Sequence, residues 1–269
     1  MSADKFALFF ERSNSLGIGL TFIDILIAKL INGFNLNKNI EKFEYENPHI
    51  SLNKEIIARS IAYLVSEGKK VDKKYILSQL NADHFNLYWN EITSLYKTSI
   101  EYLNNNNYIL NPKWIPYPNT IIPIMMFLRN LPSKSFSQMN QEQKNFLEYW
   151  YWSSVLSQRY VSASNETIVL DSTILTHIAQ KQKITDKTYI KKLKTIISSY
   201  EDIIPYNKKT SAIYIALLNF INYSGGGLLD WNNCSKISFT DNIDDHHIFP
   251  KEYLNEFLDE ESDKNLINT

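Results

Sequence analysis

Cysteine, glycine and histidine are scarce in this chain: one, seven and five residues among 269. Each scarcity excludes something. With Cys234 alone there is neither an internal disulfide nor a paired-cysteine zinc knuckle, which suits a reducing compartment. A global excess of positive charge is also missing. The 28 Lys and Arg face 29 Asp and Glu for a formal net charge of −1, so any affinity for nucleic acid has to be local. No run approaches the roughly 18 uninterrupted apolar residues of a membrane span, and the N-terminus has no basic-then-apolar signal segment. A soluble cytoplasmic protein with no membrane partner is expected. What is present in quantity is core material: 44% hydrophobic and 13% aromatic residues can bury a substantial interior.

Low glycine and long apolar periodicity predict a mainly α-helical chain. From Thr21 to Asn32 the apolar residues lie nearly all round, as in a buried helix, with Asp24 and Lys29 its few charges. Ser51 is a candidate cap for a helix reaching Ser66, with Gly68 as its stop. Further helices are predicted at Asp72–Leu80, Phe85–Asn104, Thr120–Asn130, Gln141–Gln158, Asp171–Gln180, Asp186–Tyr200 and Ser211–Tyr223. Pro112, Pro116 and Pro118 predict an irregular connection over Asn111–Asn119, because each disfavours helix at the residue before it. No repeat of fixed period is visible.

Gly225-Gly226-Gly227 is the strongest punctuation, and the texture changes after it. The order becomes strand (Lys236–Thr240), turn (Asn242–Asp245), apolar pair (Ile248-Phe249) and helix (Lys251–Leu258). A boundary near Ser224 therefore divides residues 1–224 from residues 225–269. The turn leads into "DDHHIFPKEYL", where two of the five histidines stand side by side. A ββα-metal, or HNH, nuclease site uses this layout. On that reading His246 binds a divalent cation and His247, an imidazole titrating near neutrality, takes a proton from the attacking water. Asp245 is a second metal ligand or orients an imidazole, and Pro250 opens the helix. The plain alternative is two histidines on a surface turn. Nine acids against Lys251 between Asp241 and Asp263 would attract a cation but repel DNA, and most of them read as a solvated face.

These residues, with others upstream, resemble a known family. Residues 244–254 are similar to the DUF1524-like HNH module that follows the DUF262 domain in bacterial restriction and phage-defence proteins of the GmrSD type. "LFFERSNSLGIGLTFIDILIAKL" (8–30) resembles a phrase of the DUF262 domain through Phe10, Arg12, Asn14, Gly17, Leu20, Asp24, Ile25 and Ala28. "LEYWYWSSVLSQRYVSASNETIVLD" (147–171) resembles its later helix. The resemblance implies a helical DUF262-like middle region (1–224) and a truncated HNH module (225–269), acting as a DNA endonuclease with Mg²⁺ as the expected ion. Two departures stand out. The family's "DGQQR" phrase, tied to nucleotide handling, is not in this sequence. Of the family's late "N-S-I-x-N" phrase, only the first asparagine has a counterpart, Asn268. Weak or absent cleavage by the isolated chain is therefore expected, with activity depending on a partner subunit or on the remainder of a longer protein. The alternative is a catalytically silent helical module that binds DNA or a partner. A sensor of modified bases is a weaker third reading.

Six lysines and one acid lie between Lys181 and Lys194. Lys187, Lys191, Lys192 and Lys194 are the candidate DNA contacts, through salt-dependent attraction to phosphates, against the alternative of an ordinary solvated helix face. Tyr149, Trp150, Tyr151 and Trp152 point about 100° apart on a helix, so they read as core rather than a stacking platform. Arg159 and Tyr160 would extend that helix, with a structural ion pair as the role of the arginine. Arg12 and Asn14 read as loop residues, with Gly17 and Gly19 at turns. His49, His84 and His177 lack ligand spacing, and a half-buried structural role is expected for Cys234.

Overall fold

The structure is a computed structural model, and it describes residues 19–162, 164–182, 189, 193–199, 201–206, 208 and 210–237. Helix dominates, and among the described residues the sole β pairing is an isolated antiparallel bridge, Leu229 to Lys236. The helices are α1 (Phe22–Leu30), α2 (Leu36–Glu46), α3 (Lys54–Val65), α4 (Lys73–Gln79), α5 (Ala82–Asn105), α6 (Ile121–Arg129), α7 (Gln141–Leu156), α8 (Ser164–Ala179) and α9 (Ala212–Ser224). None is long and apolar enough to cross a membrane.

The chain forms two compact units, each assembled from separated stretches of sequence. The first comprises Met1–Tyr102, Pro118–Glu148 and Tyr160–Thr185. Its centre is α6, whose residues from Ile121 to Leu128 are all buried. A helix apolar on every side must be covered on every side, and α6 packs on α8, α3 and the short turn that precedes it. Pro123 sits in the first turn, where its missing N–H removes no helical hydrogen bond. Around this centre α1 packs on α2 and α4, and α3 on α4.

Local chemistry explains where these helices start and stop. Thr21 and Asp24 form a reciprocal capping box: the Asp24 carboxylate accepts from the Thr21 N–H (2.8 Å) and hydroxyl (2.7 Å), and the Asp24 N–H donates to Thr21 Oγ1 (3.2 Å). Lys29 donates through Nζ to the carbonyls of Leu77 (2.8 Å) and Leu80 at the end of α4. Gln143 is buried and likewise donates to the last carbonyls of α8, Ile178 (3.0 Å) and Ala179 (2.8 Å). The cap of α3 is Asn53, whose Oδ1 accepts from the Glu55 and Ile56 N–H groups, rather than Ser51. Ser51 instead donates to Glu44. Gly68 does stand just beyond the helix end, at φ +81°.

The second unit comprises Leu103–Tyr117, Tyr149–Arg159 and Asp186–Thr269. Trp150, Tyr151 and Trp152 are buried in it and Tyr149 is exposed, so most of this aromatic stretch is core. Tyr108 stacks on Tyr151 with ring centroids 5.2 Å apart and meets Tyr223 edge-on at 5.4 Å. Such pairs contribute about 0.5–1.5 kcal/mol beyond the burial of their area.

Several expectations need correction. The connection over Asn111–Asn119 contains short 3₁₀ turns at Pro112–Trp114 and Pro118–Thr120, each opened by proline, whose fixed φ suits a first helical position. Helix α2 was not read from the sequence, and α8 begins seven residues before Asp171. Helix α7 ends at Leu156, and Gln158 takes φ +55°, so Arg159 and Tyr160 do not extend it. Of the helix expected at Asp186–Tyr200, Tyr189 is helical, whereas the described stretch from Leu193 to Ser199 is turn, bend and irregular backbone. There Asp202 draws the N–H groups of Ser198 and Ser199 into a local loop.

Candidate functional site

The approach to the double histidine begins at the end of α9. Its last turn closes through the N–H groups of Gly225, Gly226 and Gly227, bonded to the carbonyls of Ile221, Tyr223 and Asn222 at 2.9, 3.1 and 2.8 Å. Gly226 and Gly227 hold φ of +71° and +115°, which side-chain-bearing residues rarely adopt. A Cβ at Gly227 would also collide with the Cε of Lys236. The triple glycine is thus a helix stop that admits a lysine arm against its backbone.

A tight hairpin follows. Ile237 N–H donates to Leu228 C=O (2.9 Å), Asp230 N–H to Ser235 C=O (2.8 Å) and Cys234 N–H to Asp230 C=O (2.8 Å). Two side chains shape the tip: the Asp230 carboxylate accepts from the Asn232 N–H (2.7 Å) and the Asn233 side-chain carbonyl from the Ser235 N–H (2.8 Å). Cys234 is exposed on this tip at φ +55°, correcting the half-buried role expected of it. A turn this short has no interior to bury it in. Trp231 is 99% exposed beside it.

Two asparagines on one face of α9 hold the hairpin and the 107–114 connection together. Asn219 is fully buried. It accepts from the Leu110 N–H (3.1 Å) and donates to Trp114 C=O (2.6 Å). One turn later, Asn222 donates to Asn107 C=O (2.9 Å) and accepts from the Leu228 N–H (3.0 Å). Beside them a pocket of about 360 Å³ is lined by Asn104, Asn105, Asn107, Asn222, Lys236 and the apolar Ile109, Leu110 and Ile237. Sequence reasoning missed this arrangement. The available signal was "LNFINY", two asparagines three apart within an otherwise apolar helix.

The residues singled out for chemistry are placed unevenly. Asp245, His246 and His247 lie outside the described residues, as do Lys187, Lys191 and Lys192. Lys194 is described and exposed, in a non-helical stretch. Arg12 and Asn14 also lie outside. From the 8–30 phrase Asp24 is described, and its carboxyl is held below the usual carboxylate range by the hydrogen bonds from Thr21. Asp24 is a helix cap there. Arg159 lays its guanidinium over the Tyr189 ring, 5.4 Å from the centroid. In the first unit Tyr160 donates to the buried Asp171 carboxylate at 2.8 Å. Among the described residues no three His, Cys, Asp or Glu side chains converge as a metal site.

Comparison with known proteins yields one distant similarity. An uncharacterized protein of Methanocaldococcus jannaschii is 22% identical over 95% of this chain, and the match spans 45% of that protein's length. No family model matches the chain, and no solved structure does.

Proposed function

We propose that the chain is a metal-dependent DNA endonuclease module of a bacterial restriction or phage-defence protein. The observation that carries this reading is the stretch Asp244-Asp245-His246-His247, followed by Pro250 and an amphipathic run. The lysine-rich 181–194 segment, with Lys194 exposed, supports attraction to phosphates.

In this reading His247 accepts the proton of a water as its oxygen bonds to phosphorus, the P–O bond to the leaving strand breaks, and solvent protonates the leaving oxygen. His246 and Asp245 would hold a divalent cation, the carboxylate suiting Mg²⁺ or Mn²⁺ and the imidazole favouring a first-row transition ion. When bound, such an ion supplies charge stabilisation on the phosphate oxygens.

The test is nicking of supercoiled plasmid with Mg²⁺ or Mn²⁺ by the wild type, His246→Ala and His247→Ala. We expect at most weak nicking by the wild type, abolished by EDTA and lost in His247→Ala, since a positioned base contributes about 10²–10⁴-fold. Nicking that His247→Ala leaves unchanged would remove the reading. DNA binding without nicking would favour a silent binding module instead.

A further inference from the structure

The hairpin beside the pocket has features that the nuclease chemistry does not use. A tryptophan side chain buries more apolar area than almost any other residue, yet Trp231 stands 99% exposed at the hairpin tip. Its neighbours Asn232, Asn233, Cys234 and Ser235 are exposed and uncharged, and the hydrogen bonds of Asp230 and Asn233 fix the backbone that carries it. At the base of the same hairpin Lys236 reaches the rim of the pocket, whose lining contains four asparagines and, among the described residues, no carboxylate. The two helices that end at the pocket, α5 through Asn104 and Asn105 and α9 through Asn222, both present their C-terminal ends. A helix C-terminus carries partial negative charge, so the Lys236 ammonium offsets it and the interior is close to neutral. Such a pocket disfavours a phosphate inside. Asn104 already donates to the Ile109 and Leu110 carbonyls and Asn222 is bonded to Asn107 and Leu228, so the amides of Asn105 and Asn107 are the ones that can match a flat group with donors and acceptors on its edge.

We propose that this hairpin and pocket bind a single-stranded stretch of nucleic acid: one unpaired base stacks on Trp231, a neighbouring base enters the asparagine-lined pocket, and Lys236 contacts the phosphate between them. The proposal deepens the nuclease reading by naming the form of nucleic acid held, and it places the contact on residues distinct from the lysine-rich segment. A duplex keeps its base faces stacked and cannot use an isolated indole in this way, whereas a single strand can.

The test is performed in EDTA on the full chain carrying His247→Ala, so that no cleavage enters and failure of the nuclease chemistry leaves the result intact. The probes are an oligothymidylate and a duplex of equal length. Trp89, Trp150 and Trp152 are buried and Trp114 is half-buried, so Trp231 is the most exposed of the five indoles and the one most open to quenching by an added strand. Expected are saturable quenching of the Trp231 emission by the single strand and, read by the anisotropy of a dye-labelled strand, binding about 5- to 150-fold weaker in Trp231→Ala. Trp231→Phe should keep most of the affinity. Lys236→Ala should lower the salt dependence by roughly 0.7 of a log–log unit, the amount of one single-strand phosphate contact. Far-ultraviolet circular dichroism checks that the variants remain folded. Duplex binding as tight as single-strand binding, or equal affinity in Trp231→Ala, overturns the proposal. So does the absence of saturable binding to either probe.

Discussion

Arg59 is the most informative single residue of the first unit. Its side chain is 5% exposed, yet every edge of the guanidinium has work. Nε and Nη2 donate to the Glu55 carboxylate at 2.8 and 2.7 Å, and Nη1 donates to Val71 C=O (3.0 Å) and to Asn165. A planar fork is needed for that geometry. Arg59→Lys keeps the charge and loses the fork, and charge-assisted hydrogen bonds contribute about 1.5–3 kcal/mol each. We expect a loss of about 2–3 kcal/mol in chemical denaturation, against little change for Lys42→Ala in the exposed pair with Glu46. Tyr96 offers a pH test. Its hydroxyl donates to Ser51 C=O at 3.1 Å. Burial first, with the Glu44 charge in addition, pushes it up to about 12 against a backbone hydrogen bond. An unfolded tyrosine ionises near pH ~10. The stabilisation is therefore complete below that value and is lost as pH rises through about 12. Thermal melts between pH 9 and 12 should fall steeply for the wild type. Tyr96→Phe should flatten that fall while costing about 1 kcal/mol at neutral pH, and identical slopes would refute the assignment.

At the level of elements, α9 is held by polar pairing as much as by apolar contact. Asn219 and Asn222, three positions apart, satisfy two backbone N–H groups and two carbonyls that would otherwise lie in the interior. Asn219→Leu is apolar and similar in size, but it leaves the Leu110 N–H and Trp114 C=O without partners. Each buried orphan costs about 1–3 kcal/mol, so the variant should lose about 2–4 kcal/mol and its Leu110 amide should exchange faster with deuterium. An unchanged amide would mean that α9 does not secure the connection. The same polar grammar explains which elements were legible beforehand. Helices α1, α4, α6 and α7 follow from apolar period and caps, and Asp72, the cap of α4, accepts from the Tyr75 N–H as its position suggests. Helix α2 was not read although its signal was present: Leu36, Ile40 and Phe43 recur at the i, i+4, i+7 spacing of one buried face, and Asn35 caps it. Ser51 and Asn53 are both good capping residues, and the choice between them was made by Glu44, a residue of another helix.

For the whole molecule, the class of fold was legible and the partition into units was not. Periodicity sees neighbours along the chain. The second unit joins residues 103–117, 149–159 and 186–269, and no local pattern announces such pairing. The proposed site rests on residue chemistry alone. Adjacent histidines and a lysine-rich segment stand out as residue types, whereas the pocket arises from residues of α5, α9 and the hairpin meeting in space. Trp231 carried no signal at all, because exposure is a property of the folded chain. The composite build of that unit also has a consequence during synthesis. Leu110 must wait for Asn219, 109 positions later in the chain, before its amide is paired. At a ribosomal pace of roughly 5–20 residues per second that wait lasts about 5–20 s. Through that interval the aromatic residues around Tyr108 and Tyr151 are already made and not yet covered by α9, whose Tyr223 packs against Tyr108 and Trp152 in the finished unit.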